Sequence, residues 1–86
     1  MRTIKELLIL LREEMEVRFD GCICYCAANM AGRKLITYDE FHALEDYINS
    51  HRPEDTKDRI AIWWPYGELA PRLEFLDKLI SEIDGN

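Results

Sequence analysis

The side chains best able to hold a metal ion are three cysteines at alternate positions, Cys22, Cys24 and Cys26, with two histidines, His42 and His51. Thiolates with imidazole nitrogens form a zinc donor set. The spacing argues against it. Structural zinc sites take ligands in pairs from Cys-x₂₋₄-Cys knuckles, whereas alternate residues of a helix point to opposite sides, so Cys22 and Cys26 share a face and Cys24 does not. Ordinary buried thiols are expected instead, since cysteine in a core behaves as a small hydrophobe. No metal is expected, and the odd cysteine count fits a reducing compartment.

Groups for bond-breaking chemistry are equally sparse. His42 and His51 have no carboxylate and nucleophile at a recognisable spacing. Ser50 and Ser81 lack the Gly-x-Ser-x-Gly turn that exposes a nucleophile. Glu13-Glu14 and Glu54-Asp55 have the pattern of solvated helix or loop faces. Each of the four glycines has a turn or a cap to make, which leaves no loop to cradle a phosphate. The chain is not expected to be an enzyme or to carry a cofactor.

Binding chemistry is another matter. Ile60 to Asp77 holds both tryptophans and two of the three prolines. Its Trp-Trp-Pro-Tyr-Gly run cannot continue a helix, because Pro65 lacks a backbone donor and Gly67 suits a turn. Trp63, Trp64 and Tyr66 offer flat faces, and Arg59 and Arg72 bracket them with guanidinium groups that grip phosphate or carboxylate as a fork. Stacking with a charged fork is how a small site holds a nucleotide. Pro71 and Glu68 weaken an anion site at the start of the last helix itself. The alternative is a plug, in which the tryptophans close the end of a small core and Arg72 makes a surface ion pair contributing at most about 1 kcal/mol.

Four helices must position these groups, near residues 4–19, 22–32, 38–50 and 71–84, with the 53–67 connection non-helical. Thr3-Ile4-Lys5-Glu6 and Thr37-Tyr38-Asp39-Glu40 are capping boxes, and Ile36 with Phe41 has the spacing of a hydrophobic staple around the second. Ile4, Leu7, Leu8, Leu11 and Met15 form one apolar stripe. Ile9, Leu10 and Val17 lie off it, so the first helix is apolar on every side around Leu7 to Leu11. Those three residues are read as a contact with another subunit in a homo-oligomer, or else the helix is sandwiched within its own domain. The second helix, almost wholly apolar, is expected to be the most buried, with Gly32 as its stop. Phe41, Leu44 and Ile48 face inward on the third, with Asp39, Glu40, Glu45 and Asp46 facing water. Leu73, Leu76, Leu79, Ile80 and Ile83 make the stripe of the last. The fold class is all-α, one compact four-helix domain over residues 1–86 with an extended Trp/Pro-rich loop before the final helix.

Composition bounds the function. The 86 residues carry a net charge of −6, which repels a phosphate backbone, so a nucleic-acid polymer is not an expected partner. Apolar residues make up 48%, more than a disordered chain holds. No apolar run approaches the roughly 20 residues of a membrane helix and no leader opens the chain, so a cytoplasmic protein is expected, with no membrane partner.

The block W-W-P-Y-G-E-L-A-P-R-L-E-F-L-D over residues 63–77, with L-I-T-Y-D-E-F at 35–41 and H-R-P at 51–53, resembles a group of small uncharacterised proteins from bacteriophages and mobile elements. The resemblance implies a setting inside a bacterial host cell, where compact accessory proteins neutralise host defence. Some such proteins are oligomers that sequester nucleotide immune signals, and others are acidic inhibitors that dock on a defence enzyme. Two expectations follow. One is sequestration, without cleavage, of a nucleotide-like signal by Trp63, Trp64, Tyr66, Arg59 and Arg72. The other is an inhibitor that sets Glu13, Glu14, Glu16, Asp39, Glu40, Glu45 and Asp46 against a basic channel. A purely structural helical module is the remaining alternative.

Overall fold

The computed structural model of the protein describes residues 1–18, 23–51 and 69–85. They form four helices, α1 (Ile4–Arg18), α2 (Ile23–Gly32), α3 (Tyr38–Ser50) and α4 (Leu69–Ile83), and no strand occurs among them. The protein is all-α, as its periodicity predicts. The expected extended Trp/Pro-rich loop falls outside the described residues.

Both capping boxes are present. The Glu6 amide donates to Thr3 Oγ1 at 3.2 Å and the Thr3 amide to Glu6 Oε1 at 2.9 Å. At α3 the Glu40 amide donates to Thr37 Oγ1 at 3.1 Å and the Thr37 amide to Glu40 Oε1 at 2.9 Å. Each box satisfies amides that the first helical turn leaves without a carbonyl. Helix α4 starts two residues before the expected position, which puts Pro71 third in the helix. That is still in the first turn, where a missing amide proton costs nothing.

Helix α1 is the hub. It packs on α4, α2 and α3, and α2 also packs on α3. Leu7, Leu8, Leu11 and Met15 are fully buried, and around them lie Ile23, Cys26, Ala27 and Met30 of α2, Leu44 and Ile48 of α3, and Leu76 and Leu79 of α4. A helix covered from three directions needs more than one apolar stripe. Much of the apolar excess of Leu7 to Leu11 is therefore used within the domain, and Leu10 packs partly against this core. Ile9 is 37% exposed and Val17 75% exposed. Ion pairs fasten the outer edges of α1: Lys5 to Asp84 at 2.6 Å, Arg12 to Asp77 at 2.6 Å, and Glu14 to Arg33. Exposed pairs of this kind contribute at most about 1 kcal/mol each, so burial in the core dominates the stability.

One expectation is corrected. Helix α2 is amphipathic, burying Ile23, Cys26, Ala27, Met30 and Ala31 at three- and four-residue steps while Tyr25 and Ala28 are exposed. Gly32 is its stop, as expected. Gly32 is the last helical residue, and the left-handed residue is Lys34, with φ of 64°. The Leu35 amide donates to the Met30 carbonyl at 2.9 Å and the Lys34 amide to the Ala31 carbonyl at 3.0 Å. Those are the two bonds of a Schellman motif, and they hold a lysine in a conformation that glycine adopts more cheaply.

Candidate functional site

Trp63, Trp64, Tyr66 and Arg59 lie outside the described residues, so the aromatic part of the nucleotide-type site has no structural account. Arg72 is described. It sits in the opening turns of α4, four residues before fully buried Leu76, and only 4% of its surface is exposed. A guanidinium stays charged at every accessible pH, so it cannot neutralise itself on burial and must be compensated from within the protein. Arg72 does have a partner there. It is an internal charge, not the surface ion pair of the plug reading.

Among the described residues, the one arrangement that looks catalytic is a helix cap. Ser50 Oγ lies 3.0 Å from His51 Nδ1, the separation of a nucleophile and its base. Ser50 Oγ also donates to the Tyr47 carbonyl at 2.8 Å, and His51 Nδ1 lies 2.8 Å from the same oxygen. A carbonyl only accepts, so Nδ1 carries a proton in this geometry and has no lone pair with which to deprotonate Ser50. The His51 ring stacks on Tyr47 with centroids 4.2 Å apart. Both side chains close the end of α3. Among the described residues no three His, Cys, Asp or Glu side chains gather to hold a metal ion, and Cys26 is buried in the core.

Carboxylates are the chemistry that the surface does present, and their surroundings divide them. Glu40 was expected to face water, but it is 2% exposed. Besides its capping bond, it accepts the Arg2 amide at 2.8 Å and Arg2 Nη1 at 3.0 and 3.3 Å. These donors favour the charged form. The Thr37 amide first, then the Arg2 amide, hold its pKa down from 4.5 to about 2. Glu6 is held below its ordinary value by the equivalent amide of Thr3. Because the folded state lowers both values, their stabilisation is complete above the unfolded pKa and disappears as pH falls through the folded one. The melting temperature should therefore drop between pH 4.5 and about 2, and Glu40→Gln should start lower at neutral pH and flatten that drop. An unchanged slope in thermal melts of the variant would contradict the role given to Glu40.

Other acids are paired too, Glu14 with Arg33 and Glu16 with Arg12. Helix α3 differs. It contains Asp39, Glu40, Glu45 and Asp46 and no lysine or arginine. Asp39 and Asp46 are exposed, and among the described residues neither makes an ion pair. Glu45 is 31% exposed and approaches His42 at 3.8 Å. Asp39, His42 and Asp46, spaced by three and four, give α3 one acidic outer face.

A second surface feature has no counterpart in the sequence reading. Arg2, Lys34, Leu35, Thr37 and Tyr38 line a groove of about 570 Å³ between the end of α2 and the start of α3. No protein-family model, curated protein or solved structure matches this chain.

Proposed function

We propose that this protein works by binding rather than catalysis, docking the acidic outer face of α3 on a protein partner with a Lys- and Arg-rich surface. The supporting observation is that α3 exposes Asp39 and Asp46 unpaired and carries no cation, while α1 and α4 intersperse acids with bases. Unpaired carboxylates on a rigid helix steer a basic partner and give contacts without first breaking an internal pair. In the bacteriophage setting that the resemblance implies, the partner is a defence enzyme, and the face occupies a channel built for nucleic acid.

The test is capture of proteins from host extract by the wild type and by the Asp39→Lys/Asp46→Lys variant at low and high salt. Enrichment of a basic protein that is lost in the variant and at high salt is expected, because such contacts are screened. Equal capture by both forms would contradict the proposal.

A second reading has one observation in its favour. Arg72 keeps a buried cation on the helix that directly follows the aromatic run. On this reading Trp63, Trp64, Tyr66, Arg59 and Arg72 enclose a nucleotide-like signal.

A further inference from the structure

Two exposed strips on this protein are complementary. The first is the groove between α2 and α3. Leu35 is 42% and Tyr38 67% exposed on it, and Met1, 88% exposed, lines the depression that adjoins it across Arg2 and Thr37. Lys34 stands at its edge, exposed and, among the described residues, in no ion pair. The second strip is the outer side of α1. Ile9 and Val17 are its exposed apolar groups, and Glu13 lies between them, four residues from each. On a helix these three span roughly 12 Å and about 80° of the circumference, one continuous ridge. Glu13 is exposed and makes no ion pair among the described residues, although Glu14 and Glu16 beside it both do.

The backbone at Lys34 points the same way. A residue with a side chain is strained at a φ of 64°, where glycine would not be. The chain does have a glycine nearby, at Gly32, but there a Cβ would meet nothing within 4 Å. Strain of this kind persists where the surrounding bonds enforce it, as the Schellman pair does here, and it gathers at positions whose side chains are used. The Lys34 ammonium at the rim of an apolar groove is a use of that kind.

We infer that the groove receives the α1 ridge of a second copy of this chain, with Ile9 and Val17 against Leu35 and Tyr38 and the Glu13 carboxylate on Lys34. Each copy carries both halves. The contact is therefore either reciprocal in a two-fold dimer or repeated head to tail around a ring. Leu10, partly packed in its own core, takes no leading part in it. Asp46 of α3 lines neither the groove nor the depression that adjoins it.

The inference predicts self-association of the wild type at micromolar concentration in sedimentation velocity. Lys34→Glu and Glu13→Lys should each weaken it at least about tenfold, because like charges then face each other across the contact. An equimolar mixture of the two variants should associate again, since every reversed groove now meets a reversed ridge. Lys34→Gly separates contact from fold: relief of the left-handed strain should raise its melting temperature while association weakens. A monomeric wild type, or a mixture no more associated than its components, would overturn the inference.

Discussion

Leu11→Ala is expected to cost about 3–5 kcal/mol, a large share of the stability available to a domain of this size. Leu11 is fully buried near the middle of α1, the helix against which the other three pack. Cutting its isobutyl group back to a methyl removes transfer free energy and leaves a cavity in the core shared by the four helices. One helix can shift to fill a gap, but three cannot converge on it without disturbing their packing elsewhere. Ile9→Ala, eight ångströms or less of chain away but 37% exposed, is the control and should cost under about 1 kcal/mol. Urea melts of both variants measure the difference. Comparable losses would mean that α1 is not the centre of the core.

Arg72→Ala should destabilise the domain by about 2–4 kcal/mol, well beyond the limit of about 1 kcal/mol for an exposed ion pair. Burial is the cause. With 4% of its surface exposed, Arg72 holds a permanent charge where water cannot compensate it, and truncation removes its interaction and leaves a gap in place of a buried side chain. Arg72→Lys should recover only part of the loss, because one ammonium does not reproduce the five donors of the guanidinium plane. A variant of full stability would return Arg72 to the role of a ligand-gripping residue.

What the sequence disclosed and what it hid follow one physical division. Bonds between neighbours in the chain were legible. Thr37 and Glu40 are three residues apart, and their reciprocal bonds and the limits of α3 come out as the pattern predicts. Apolar stripes were legible too, because period 3.6 specifies most of the buried face of α1, α3 and α4, although on α4 Ile83 of the expected stripe is 38% exposed and Phe75, outside it, is buried. Relations between elements were not. The capping pattern assigns one bond to Glu40, but nothing local says that Arg2, 38 residues away, adds its amide and guanidinium and buries the carboxylate. The same holds for Leu7 to Leu11. An apolar perimeter is equally consistent with a partner subunit and with three covering helices, and only the packing shows how much of it the domain itself uses. The end of α2 at Gly32 was legible, but not the Schellman bonds that put Lys34, rather than a glycine, in the left-handed position after it. As for the candidate site, Arg72 was legible as a cation but not as a buried one, and the residues from Arg59 to Tyr66 stand on sequence alone.

The most direct test of the binding account is the melting temperature of the wild type with a panel of mono-, di- and cyclic nucleotides, set beside its melting temperature with a captured basic partner. A ligand at about 100 times its dissociation constant adds about 2.7 kcal/mol, which in a domain of this size is a rise of roughly 10 °C or more. The account predicts that rise with the basic partner, its loss in Asp39→Lys/Asp46→Lys, and no rise with any nucleotide. A rise with a nucleotide that the α3 variant retains would contradict it, and would place function at Trp63, Trp64 and Arg72.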